Sequence, residues 1–404
     1  MEQIEWEYSD NDSLARVSKL TVASKTVEAP FHATTRRDDD IYSGVVGSNR
    51  RQNTINVVPE SLSKTTLDSV GNSIDAGNSL IGRLTMKKSE KTGDINVVYT
   101  RIPKRYEVKI GIKKTYYTIS TIDQLQMTSL VDVALRCNTD IVVPPIPNAI
   151  SSFEHFKDIL SRTKNQIQTF KKEKPIMGYI PNIDDRALVI KMIDEYLKKD
   201  YDCKIFGVDF SGSPSAPLLM STVVATIRDR LKIKKKVEEY YLHVFNVATA
   251  KKSEKDIAPV TNWLTHLYGV DSVSGTIWGG GGEVLETDDE KLKQADKRRQ
   301  IESTRYIVRE DYGAYKKSAI HKKNCNCPVC SKYSIDQIYD QTNYLKRIKA
   351  HTIANYKEEY VEISEKIRKA DKKLVPYIDT KSQVVNDAKR IMYDVNEIRA
   401  RTGT

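Results

Sequence analysis

No apolar run of roughly 18 residues, the length a helix needs to cross the hydrocarbon core of a bilayer, occurs in the chain. A membrane-spanning helix is therefore not expected. The opening stretch MEQIEWEYSDNDS lacks the basic start and apolar middle of a secretory signal, which places the chain in the cytoplasm. Cysteine is scarce, five in 404 residues. An odd, small count in a reducing compartment excludes a disulfide framework and turns attention to metal binding or thiol reactivity. Internal repeats and low-complexity tracts are also missing, so solenoid and linker architectures are set aside. Acidic residues fall short of basic ones, 54 against 65, leaving a formal charge of +11 that favours polyanionic partners. The basic residues cluster in RLKIKKK (230–236), KLKQADKRR (291–299) and KKSAIHKK (316–323).

What is present reads as a large α/β protein. Short apolar runs suited to strands recur at APFHATT (29–35), TDIVVPP (139–145), KPIMGYI (174–180), CKIFGVDF (203–210), YYLHVFNV (240–247) and GVDSVSGTIW (269–278). Amphipathic stretches lie between them. In DDRALVIKMIDEYLKKD (184–200), Leu188, Met192 and Tyr196 with Val189, Ile193 and Leu197 form one apolar face at helical spacing. Alternating strands and helices over most of the chain imply a parallel sheet, with a (β/α)₈ TIM-like barrel as the expected architecture and a doubly wound open sheet as the alternative. Residues 36–75, rich in Gly, Ser and Asn, read as long loops, and 95–120 as a small antiparallel sheet, together an insertion near 36–120. The resulting division is an N-terminal extension (1–27), a barrel (28–315) and a C-terminal subdomain (316–404) carrying a metal knuckle and helices. Ser334 followed by Gln337 forms a capping box at the start of the helical tail.

Three of the five cysteines fall in HKKNCNCPVCSKYS (321–334). Cys325, Cys327 and Cys330, spaced C-x-C-x-x-C, allow one tight loop to present three thiolates to a single ion. Tetrahedral zinc needs a fourth ligand, for which His351 on the following helical segment and His321 just before the loop are the candidates. Four protein ligands leave no position for water, so the ion would be structural. The same spacing also suits a small knuckle that binds nucleic acid without catalysis.

The cluster and its setting resemble the tRNA-guanine transglycosylase superfamily, whose barrel carries a C-x-C-x-x-C…H zinc site near its C-terminal end. Here the matching residues are Cys325, Cys327, Cys330 and His351, with AHTIANY around the histidine. APFHATT, DVALRCNTDIVVPP, MGYIPN, LHVFNV and LYGVDSVSG fall in the family's order, so the resemblance spans about residues 28 to 356. It implies exchange of a guanine base for a 7-deazaguanine through two carboxylates. One attacks the anomeric carbon to form a covalent glycosyl-enzyme, and the other shuttles protons to and from the bases.

In SIDAGNSL (73–80), similar to the family's Asp-Ser-Gly-Gly-Phe-Gln loop, the resemblance makes Asp75 the acid/base, with Gly77 keeping the loop's glycine. For the nucleophile it offers Asp271 in GVDSVSG or Asp209 in FGVDFSG, although a gapless match puts Ser274 at that position. Asn182 stands near the family's base-reading glutamine. Gly207 and His32 are taken as substrate-binding, with Arg36 beside His32 at the pocket mouth, and the run Gly279–Gly282 could cradle a phosphate. The loosened loops look most like the phage and bacterial branch that modifies DNA, which implies restriction evasion and, for a phage protein, the host cytoplasm. The implied partners are DNA, with tRNA as the alternative, a 7-deazaguanine such as preQ0, and a second copy of the chain as a homodimer.

Overall fold

The computed structural model describes residues 2–48, 52–110, 113–233, 238–250, 253–275, 304–320, 325–369 and 374–403, without the side chains of 105–110 and 113–115. His321, the run Gly279–Gly282 and the basic stretches at 234–236 and 291–299 lie outside the described residues.

Three strands, β1 (Glu2–Ser9), β2 (Arg16–Val22) and β3 (Lys25–Ala29), form an antiparallel sheet in chain order. The chain then enters β4 (Phe31–Ala33), α1 (Arg36–Val46), β5 (Ile55–Ser61), α2 (Lys64–Asn72), α3 (Ile74–Lys87) and β6 (Ile95–Arg101). An antiparallel hairpin, β7 (Arg105–Ile110) with β8 (Lys113–Thr118), leads to α4 (Gln124–Arg136). Next come β9 (Ile141–Val142), α5 (Phe153–Thr169), β10 (Met177–Ile180), α6 (Arg186–Tyr196), β11 (Ile205–Asp209), α7 (Pro217–Ile233) and β12 (Tyr241–Val247). After β13 (Ile257–Pro259) and a 3₁₀ turn (Thr261–Tyr268) follow β14 (Ser272–Gly275), β15 (Tyr306–Val308) and β16 (Gly313–Tyr315). The tail holds α8 (Ile335–Ile338), α9 (Tyr344–Arg368), α10 (Leu374–Asp379) and α11 (Val385–Thr402).

The protein is a mixed α/β fold built on parallel strands. One sheet has the order β10-β11-β12-β14-β4 and another β5-β6-β9, all parallel. A parallel bridge between Val142 and Ile176 joins β9 to the segment entering β10. Pairing therefore follows chain order from β5 to β14, and β14 returns to pair with β4, matching Phe31 with Ser272 and Ala33 with Ser274. Among the described residues β4 and β5 lie in different sheets. Pro59 in β5 pairs opposite Tyr99 of β6, and a strand on a sheet edge tolerates the missing N–H of proline.

All six strand segments read from the sequence contain strands. The loop reading of 36–75 is corrected: this region holds β5, α1, α2 and the start of α3. Thr35 just before it and Ser63 and Ser73 within it are helix caps, Thr35 accepting from Asp38 N, Ser63 from Thr66 N and Ser73 from Ala76 N. The antiparallel reading of 95–120 holds for β7 and β8 only, since β6 runs parallel between β5 and β9. The extension is not a loose lead-in, because β2 supplies buried Val17, Leu20 and Val22 to the main core.

Among the described residues the link from β12 to β14 carries the short β13 and, in place of a long helix, a 3₁₀ turn whose eight residues are all buried. The tail supplies the cover: α11 packs against α7 and this turn, while α9 lies against α1, β4 and β15. No helix among the described residues is long and apolar enough to cross a membrane.

Candidate functional site

Two clusters of chemically capable side chains emerge. The first joins Cys325, Cys327, Cys330 and His351, whose ligand atoms all lie within 4.8 Å of one another. The loop Cys325–Ser334 brings the thiols together, with Ser331 N and Tyr333 N bonding back to Cys327 O and Val329 O. Helix α9 brings the histidine, which is fully buried. His351 Nε2 is 2.9 Å from the carbonyl of Ile307, an acceptor only, so Nε2 carries a proton and Nδ1 faces the sulfurs. Nδ1 stands 3.3 Å from Sγ of both Cys327 and Cys330. Hydrogen bonds from the Cys327 and Cys330 thiols push the Cys325 thiol below its ordinary range. Burial disfavours protonation of His351, but the neighbouring Cys325 and Cys327 outweigh it and lift its pKa to about 9. A cation entering this set must displace protons, and the soft thiolate donors suit a thiophilic metal. The residues present fit such an ion, and the fourth donor expected from the sequence, His351, is the one brought to the thiols.

The second cluster surrounds Asp209, the last residue of β11, which is fully buried. Its Oδ2 lies 2.8 Å from Tyr99 Oη, 2.9 Å from Asn148 Nδ2, and 3.2 Å from both Arg101 Nε and Tyr179 Oη. Its Oδ1 accepts from Ser211 N and, at 3.3 Å, from Asn246 Nδ2. Tyr179 donates to Asn148 Oδ1 at 2.7 Å, leaving the Tyr99 proton for the carboxylate. Burial, reinforced by the charge on Asp209, pushes both phenols well above their usual range, so they remain donors. These groups come from the C-terminal ends of β6, β10, β11 and β12 and the segment after β9, a placement shared by the reactive side chains of parallel α/β enzymes. Ser211 (φ 52°) and Asn246 (φ 56°) both adopt left-handed backbone beside the carboxylate. Such strain clusters where function constrains the chain.

The other sequence candidates scatter. Asp271 is corrected from a catalytic strand end to a structural one. It precedes β14, at the end of the strands opposite Asp209, and is locked by Arg16 Nε at 2.8 Å and Ser18 Oγ at 2.6 Å, with a further contact from Arg16 Nη2. Leu242 N donates to its other oxygen at 2.7 Å. Asp75 is exposed in the first turn of α3. His32 lines a separate cavity with Thr34, Ile353 and Tyr356. It pairs with Val273, on the face opposite Ser272, and stacks on Tyr356 of α9 at 4.2 Å, so it does not line the Asp209 site. Burial, aided by Lys349, pushes its pKa down to about 3. Arg36 is held at α1 by Glu90, 2.9 Å away.

Asn182 does reach this end of the sheet, its amide donating to Phe210 O at 3.2 Å. Gly207 lies two residues before Asp209 on the same strand face, where an added Cβ would stand 2.5 Å from both Met177 Sδ and Phe245 Cε2. That glycine lets Met177 and Phe245 pack against the strand. Tyr99, Arg101, Asn148, Tyr179 and Asn246 escaped the sequence reading. The signal was a polar residue closing an apolar strand, as in VVYTR and MGYIPN.

No family model matches the chain, and no curated protein matches it. Among solved structures it is similar to the carboxyl transferase domain from Rhizobium etli pyruvate carboxylase with 3-bromopyruvate, at 12% identity over 79% of this chain and 44% of that one, with a TM-score of 0.33. It is also similar to a complete multifunctional pyruvate carboxylase from Rhizobium etli, at 11% identity over 90% of this chain and 30% of that one, TM-score 0.34. The chain thus spans less than half the length of these structures, and likeness at this level carries no statement about activity.

Proposed function

We propose that the chain is a base-exchange enzyme of the guanine transglycosylase type that replaces guanine in DNA with a 7-deazaguanine, on a (β/α)₈ barrel braced by structural zinc. The observation that carries this reading is the meeting of Cys325, Cys327, Cys330 and His351 at one point, the thiols at the C-x-C-x-x-C spacing of that superfamily. The barrel reading is supported by two parallel sheets that follow chain order, joined by the Val142–Ile176 bridge, with β14 returning to pair with β4. Zinc is the ion that a Cys₃His set of this compactness most often holds, and four protein ligands make it structural.

In this reading Asp209 is the reacting carboxylate. Its Oδ2 is held by Tyr99, Asn148 and Arg101, while Oδ1 accepts from Ser211 N and carries a long contact to Asn246 that a sugar can displace. Attack by Oδ1 on the anomeric carbon forms the C–O bond as the C–N bond to guanine breaks, the electron pair leaving with the base. The incoming 7-deazaguanine reverses these steps and frees the carboxylate. Asp75 is the proton shuttle by resemblance alone. The basic composition favours a polyanionic substrate.

The test is to incubate the protein with labelled guanine and either duplex DNA or tRNA. Label entering DNA, and its loss in Asp209→Asn by at least about 10²-fold, a typical effect of removing a catalytic group, is the expected result. Label entering only tRNA overturns the choice of DNA, and no incorporation into either polymer overturns the enzyme reading. Full activity in Asp75→Asn removes that residue from the proton-shuttle role.

A further inference from the structure

Tyr306 has no part in the sequence motif, yet it touches two of the four donors at once. Its hydroxyl lies 2.8 Å from Cys330 Sγ, and its ring stacks on the His351 imidazole with centroids 3.9 Å apart and planes 19° from parallel. It opens β15, and the next residue, Ile307, supplies the carbonyl that holds His351 Nε2. One short strand therefore sets the tautomer of the histidine, the tilt of its ring and the environment of a sulfur. On the other side Asn355, one helical turn after His351, donates to His351 O at 2.9 Å and stands 3.9 Å from Cys325 Sγ.

We propose that Tyr306 is the positioning residue of the metal centre, holding Cys330 and His351 in a single arrangement and slowing loss of the ion. The inference rests on the metal reading given above. Three thiolates around a divalent cation carry an excess negative charge. A hydroxyl donated to one sulfur spreads that charge and makes the sulfur less ready to take up a proton or to react with an electrophile. Stacking removes the rotation by which the imidazole would leave. Partners of this kind commonly change metal affinity by about 10- to 100-fold.

Three proteins separate the contributions. Tyr306→Phe keeps the ring and loses the hydroxyl, Tyr306→Leu loses both, and the wild type keeps both. Each is loaded with zinc, and ion release to a chromophoric chelator is followed. Cobalt-loaded samples report ligand geometry through their visible absorption. Release about 10-fold faster in Tyr306→Phe and faster again in Tyr306→Leu, with an altered cobalt spectrum and far-ultraviolet dichroism preserved, is the expected outcome. A wild type that binds zinc and a Tyr306→Phe protein that releases it at the same rate overturn the role of Tyr306 while leaving the metal site standing. A wild type that binds neither zinc nor cobalt overturns the metal reading itself, and this inference with it.

Discussion

Two buried aspartates look alike in the sequence, each following Gly-Val at an apolar run, yet their surroundings give them different work. Asp271 faces the bidentate guanidinium of Arg16, which is itself sandwiched between the rings of Trp6 and Tyr240 at 4.0 and 4.4 Å. Asp209 also accepts several hydrogen bonds, but they come from the C-terminal ends of the strands and the segments after them, and on Oδ1 the contact from Asn246 is long beside that from Ser211 N. Breaking a buried ion pair from one side leaves an uncompensated charge and costs about 3–5 kcal/mol. Arg16→Met is therefore expected to lower stability in urea unfolding by that order. An Arg16→Met protein of unchanged stability that has lost base exchange would show that the pair serves chemistry after all. The sequence revealed that both residues end apolar runs. It could not show which end of a strand each occupies, because that depends on where DSVSG begins to pair with β4 and β12.

At the scale of elements, local pattern was a good guide where the chain alternates apolar strands with long amphipathic helices. Helix α6 buries Leu188, Val189, Met192, Ile193 and Tyr196, the face expected from its spacing. The capping box of Ser334 and Gln337 is formed, although the helix it starts is only four residues long. Pattern failed over 36–75, where Ser, Thr, Gly and Asn signal loops and caps equally well, and the tertiary contacts of α1 with α9 and of α2 with α4 decide between them. Gly207 shows the same limit in a strand. Its need for hydrogen in place of a side chain comes from Met177 and Phe245 on the neighbouring strands. Gly207→Ala is expected to destabilise by about 1–3 kcal/mol through overpacking, measured by thermal or chemical unfolding. A neutral result would show that Met177 can move aside.

Across the whole molecule, the tail completes what the β12–β14 connection leaves out. Among the described residues that link offers the short β13 and a 3₁₀ turn, and Trp263 of the turn is fully buried against Tyr312 and Tyr356, ring centroids 4.5 and 5.4 Å away. Tyr356 belongs to α9, the helix that also carries His351. Removing the ion by chelation, or Cys327→Ser, is therefore expected to loosen α9, shift tryptophan emission to the red and speed amide exchange in the tail. A metal-free protein with unchanged emission and exchange would show that apolar packing alone seats the helix.

The sequence by itself determined the class of the fold and the three thiols of the metal site, with His351 and His321 both open for the fourth position, since class and thiols are written in short-range spacing or in the periodicity of apolar residues. Only the tertiary structure decided that His351 meets the thiols through Nδ1, that Asp209 rather than Asp271 stands at the C-terminal strand ends, and that Tyr306 braces the cluster. Those outcomes depend on groups that come together only after strands have paired and helices have docked, tens to hundreds of residues apart in the chain, where no local pattern carries the information.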